Sequence, residues 1–153
     1  MNLWLTLHVA GVVLFVGNII TAAFWKVRAD LTNNPSEIHS AARNVMLADY
    51  VFTFPGLALV IVSGIAMAVS AGLPLMGLNW LTLSLMLFAV TGVIWLGVLI
   101  PLQRRMIRIS AQCIDSGSIS TEYRSVSRSW AVFGTAATLL PVVILYLMVA
   151  KSF

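Results

Sequence analysis

Three stretches of this sequence carry no charged side chain: Met1 to Trp25, Tyr50 to Gln103 and Ser129 to Ala150. A helix that crosses a bilayer needs about 20 consecutive apolar residues. The first and last stretches therefore predict one span each. The middle one is too long for a single span and fits two. Its natural break is "SAGLPLMGLN", residues 70–79, where Gly72, Pro74, Gly77 and Asn79 are turn residues. The expected helices are about 3–25, 48–70, 79–102 and 129–150. Composition agrees, since 60% of the residues are hydrophobic and 9% charged, against about 25% charged in soluble domains. The expected fold class is all-α: an antiparallel bundle of four transmembrane helices in a single domain, 1–153. The first helix lacks a basic leader and its apolar run is too long for a cleavable signal, so it reads as retained.

The basic residues set the expected orientation. Residues 26–47 carry Lys26, Arg28 and Arg43, and residues 103–128 carry Arg104, Arg105, Arg108, Arg124 and Arg128. The 71–79 turn carries none. By the positive-inside rule the two longer connections are cytoplasmic and both termini are outside. Trp4 and Trp80 then fall at the outer interface, Trp25 and Trp130 at the inner one. Anionic lipid headgroups are the natural counter-charge for these arginines. No basic stripe is interleaved with exposed aromatics, so nucleic acid is not an expected partner. In the cytoplasmic segments Asn34, Pro35 and Glu37 read as N-cap, N1 and N3 of a helix that runs on into the membrane. Ser118 or Ser120 is placed to cap the fourth helix.

Polar and small residues mark helix contacts in lipid. His8, Gly11, Phe15, Asn18 and Ala22 share one face of helix 1, with Val9, Val13, Val16 and Ile20 opposite, toward lipid. Helix 2 offers Asp49, Thr53, Gly56, Ser63, Gly64 and Met67, with Pro55 expected to loosen it. Helix 3 offers Thr82, Ser84, Thr91 and Gly92; helix 4 offers Gly134, Thr135 and Thr138. These small-residue faces permit a homodimer or a membrane-complex partner. Depth counting at 1.5 Å per residue sets His8 level with Ser84, with Met67 or Gly64, and with Tyr146.

An imidazole inside a membrane segment is a functional candidate. Three readings of His8 stand side by side. It hydrogen-bonds Ser84, Tyr146 or a carbonyl as interhelical glue. It ligates haem iron, with Gly11 admitting the macrocycle and Phe15 packing on it; the second ligand is then Met67 or a histidine of another protomer, or the iron stays five-coordinate. Or it serves a proton or quinone. Asn18 reads as packing glue. Asp49 is expected to pair with Lys26 or Arg104, His39 to be solvated, and Cys113 to be a lone loop cysteine. The methionines show no M-x-x-M spacing, which argues against a copper path. No nucleophile–base pair, phosphate loop or paired intramembrane carboxylates support a hydrolase or ATPase.

"WLTLHVAGVVLFVGN" (residues 4–18), Pro55 to Gly64, and Pro101-Leu102-Gln103-Arg104-Arg105 resemble a bacterial family of predicted four-helix membrane proteins of unknown function. That family is related in plan to HemJ-type protoporphyrinogen oxidases and CopD-like membrane domains. The likeness covers nearly the whole chain. It implies a bacterial inner (plasma) membrane location and, through the helix 1 histidine of HemJ proteins, a haem b held by His8. Those proteins also use a helix 3 lysine. Here the context reads "NWLTLSL", with no lysine in helix 3, so the resemblance carries the ligand and not the oxidase step. The expected function is haem b binding for membrane redox or haem handling. The alternatives are a non-enzymatic accessory or scaffold protein, and a small transporter or copper-import component.

Overall fold

The computed structural model describes residues 2–151. Its four long helices are α1 (Asn2–Leu31), α2 (Pro35–Ser70), α3 (Trp80–Ser116) and α4 (Thr121–Ala150), each long and apolar enough to cross a membrane. At 1.5 Å per residue the 37 residues of α3 extend about 55 Å, well beyond a hydrocarbon core of about 30 Å. The surplus lies at the end that carries the arginines. There α3 does not stop near residue 102, the expected end, but runs to Ser116, where Gly117 terminates it in the left-handed conformation at φ 71°.

Local chemistry sets the helix starts. Asn34 caps α2, its side chain accepting from the Ser36 N–H at 3.0 Å, with Pro35 in the first turn. Asn79 and Thr82 form a reciprocal capping box at the start of α3. Of the two serines placed to cap α4, Ser120 does so, accepting from the Tyr123 N–H at 3.1 Å.

Two prolines shape the middle helices. Pro55 and Pro101 have no N–H to give to the preceding turn. In both helices that turn is π-helical, over Asp49–Thr53 and Trp95–Leu99. Its closing bonds run from Phe54 N–H to the Asp49 carbonyl and from Ile100 N–H to the Trp95 carbonyl. Each π turn begins six residues before its proline. Single-turn π bulges of this kind cluster at functional sites.

The bundle is closed at one end and split at the other. At the basic end, Pro35–Ala48 of α2 packs on Ile100–Ser116 of α3, around Ile38, Val45, Met106, Ile109, Cys113, Tyr123 and Val126, each at most 5% exposed. Toward the 71–79 turn, α1 stays with Phe54–Ser70 and α4 with Trp80–Ile94, and these two pairs part. No Cα of Phe54–Ser70 comes within 8 Å of one in Trp80–Ile94.

Several expected faces turn out differently. Trp130 is buried under the basic end rather than standing in an interfacial belt. Thr135 is exposed and bonds its own helix at the Ala131 carbonyl. The inner stripe of α4 is instead Trp130, Ala137, Pro141, Ile144 and Leu147. Val16 packs against the core instead of facing lipid. Cys113 is a core residue of α3, not a loop residue, because the helix runs past it.

Candidate functional sites

The split between the helix pairs forms a cavity of about 830 Å³, within the range of ligand pockets. His8, Phe15, Met67 and Ser84, from three helices, all line it. Phe15 and Phe88 meet edge to face, ring centroids 6.1 Å apart. Met67 and Met148 bring thioethers to the wall, and Lys151 lies across the Trp80 ring at 5.4 Å, with both residues on the lining. Gly11 is not on this wall. A Cβ there would meet the Gly56 carbonyl oxygen at 2.9 Å, so Gly11 is filled by α2 and leaves no room for a ligand.

His8 bonds neither Ser84 nor Tyr146. Tyr146 faces outward, 67% exposed, and the Ser84 hydroxyl donates to the Trp80 carbonyl at 2.7 Å. The partner of His8 is Ser63 on α2, with Nδ1 3.1 Å from Oγ. The Ser63 hydroxyl proton is committed to the Leu59 carbonyl. Its oxygen must then accept, so His8 Nδ1 carries the proton and Nε2 keeps its lone pair. The tautomer follows from the hydrogen-bond network. A Cβ on Gly64 would stand 3.2 Å from His8 Cε1, so the glycine makes the space for the ring.

A second polar cluster lies deeper, where the π turns face each other. Asp49, 4% exposed, pairs with neither Lys26 nor Arg104. Its Oδ1 accepts from Asn18 Nδ2 at 3.1 Å and Thr53 Oγ1 at 2.9 Å. Its Oδ2 accepts from Gln103 Nε2 at 2.7 Å and Trp95 Nε1 at 3.4 Å. Asn18 therefore joins α1 to α2 through Asp49 and Thr53. Gln103 and Trp95 are members that periodicity alone does not single out.

Lys26 belongs to a third cluster. It pairs with Asp30 one turn along α1 at 2.5 Å and also contacts the Ser127 hydroxyl. Tyr123 and Ser127 each donate to Asp30 at 2.8 Å. The ammonium stands 5.1 Å from the Trp130 ring centre, while the buried Trp130 Nε1 has no acceptor. Arg104 reaches Tyr50 Oη at the surface instead. His39 is half-buried, its Nδ1 2.9 Å from Ser110 Oγ, rather than solvated.

The family model described as "Predicted integral membrane protein (DUF2269)" matches residues 2–152. No curated protein and no solved structure matches.

Proposed function

The chain belongs to this family of predicted integral membrane proteins, and from that premise we propose that it holds a haem b between its two helix pairs, with His8 as axial ligand. One observation carries the reading: the Ser63 bond leaves a lone pair on Nε2 of an imidazole that lines a large apolar cavity. A ligating histidine is ordinarily oriented in this way, by a hydrogen bond from its other ring nitrogen. The rest of the wall fits the group. Phe15 and Phe88 would offer aromatic surface, Met67 and Met148 thioethers as further ligands, and Lys151 a cation for an acidic substituent of the group. Bound there, haem b supplies one-electron chemistry or is itself the cargo, in membrane redox or haem handling. The chain's own part is to orient the imidazole, exclude water and fix the ring's depth.

The location fits a bacterial inner membrane with the basic end in the cytoplasm. Arg28, Arg43, Arg104, Arg105, Arg108, Arg124 and Arg128 are all exposed there, where anionic headgroups would meet them.

One observation favours a second reading, a scaffold without cofactor. The His8–Ser63 bond also ties α1 to α2, as interhelical glue does. Absorption spectra of the purified protein separate the two. A Soret band that disappears in His8→Ala supports the haem site, and a colourless protein from haem-replete cells supports the scaffold.

A further inference from the structure

The Asp49 cluster plays no part in the haem reading. It lies nearer the basic end, since Asn18 is seven residues from Trp25 along α1, about 10 Å in. The Asp49 carboxylate is buried and every donor on it is neutral. Among the described residues the ion pairs are Lys26–Asp30 and Arg105–Glu122, and neither includes Asp49. A buried carboxylate without a counter-charge is costly in a low-dielectric interior. A second observation points the same way. Gln103 is 2% exposed and its amide rests on Asp49, yet its Oε1 is buried with no donor. The cluster therefore joins a buried carboxylate that has only neutral partners to an amide oxygen that has no donor.

The backbone and the surface add to this. Asp49 and Trp95 open the two π turns, and in membrane bundles it is interrupted helices that coordinate ions. A groove of about 630 Å³ between α1 and α2 is lined by Thr21, Ser40, Asn44 and Ala48 and reaches Asn18, which touches Asp49.

We propose that Asp49, Asn18, Thr53 and Gln103 form a binding site for a small, hard monovalent cation of the sodium class, entered from the basic end. Asp49 supplies the charge. Thr53 Oγ1 and the side-chain oxygens of Asn18 and Gln103 supply neutral ligands, which hard cations prefer. Half-turn rotation of the two amides exchanges nitrogen for oxygen at the positions they already occupy. A single carboxylate balances one positive charge, so a divalent ion would remain half-compensated in a buried site. The site is independent of the haem proposal.

The test is thermal unfolding of the full chain in detergent, titrated with NaCl against N-methylglucamine chloride and KCl at constant ionic strength. A saturating rise of a few degrees with sodium, smaller with potassium and missing with N-methylglucamine, is expected. The rise is lost in Asp49→Asn, reduced in Gln103→Leu and kept in His8→Ala. An equal response to all three salts, or none, overturns the proposal on the wild-type protein alone. So does a midpoint that follows pH and ignores sodium, which would assign the carboxyl to a proton.

Discussion

Asp49 and Trp95 each open a π-helical turn six residues ahead of a proline, and the indole of one donates to the carboxylate of the other at 3.4 Å. The irregular turns of α2 and α3 thus meet at one point. Removing the Asp49 side chain leaves Gln103 Nε2, Trp95 Nε1 and the Thr53 hydroxyl buried without an acceptor. Asp49→Ala should lower stability by about 3 kcal/mol, at about 1–3 kcal/mol for each orphaned donor. Asp49→Asn, which keeps one acceptor oxygen, should lose less. Unfolding midpoints of the two variants check the order.

Gly11 and Gly56 are in backbone contact. A Cβ on Gly56 would come within 2.8 Å of the Phe15 amide nitrogen, and one on Gly11 within 2.9 Å of the Gly56 carbonyl oxygen. Rigid backbone cannot yield as a side chain can, so either glycine-to-alanine change must push α1 from α2. A loss of about 1–3 kcal/mol is expected, as for other overpacked cores. Gly92→Ala, where a Cβ meets nothing within 4 Å, should cause no loss in the same thermal assay, since alanine is the better helix former.

Lys26 is 2% exposed and its partner Asp30 retains two hydroxyl donors when the lysine is lost. Lys26→Ala should cost about 3 kcal/mol, the low end for breaking a buried pair. The double change Lys26→Met with Asp30→Asn removes both charges and should be less damaging than Lys26→Ala. A double variant that is the less stable of the two would show that the ion pair itself stabilises the basic end.

Ser63 holds the His8 ring through the 3.1 Å bond between its Oγ and Nδ1. Ser63→Ala should retain the fold and weaken haem affinity by about 10–100-fold, the usual effect of losing a ligand's orienting partner. Haem titration followed by absorbance measures this directly.

The uncharged runs made the four spans legible, and Asn34 and Ser120 marked two helix starts through their capping chemistry. The faces were legible in part. On α2 the stripe from Asp49 through Thr53 and Gly56 to Ser63 is buried as its spacing predicts. On α3, Thr91, Trp95, Leu99 and Gln103 are all buried at successive steps of four. A regular helix of 3.6 residues per turn would carry such a series away from one face. The π turn brings it back, and no 3.6-residue count foresees that. Helical spacing therefore does not bring Gln103 to the site, and it leaves only cations as visible partners for Asp49. Ser63 is not legible as the partner of His8 for another reason. Depth counting ranks residues by level but does not fix the rotation of α2 against α1, which the Gly11–Gly56 contact sets.

We propose that the cavity beside His8 holds haem b. The most direct test is the absorption spectrum, oxidised and dithionite-reduced, of the detergent-purified chain and of His8→Ala, each from haem-replete cells. A Soret band is expected in the wild type and is lost in a folded His8→Ala. A wild-type protein that is colourless and stays so when haem is added would contradict it.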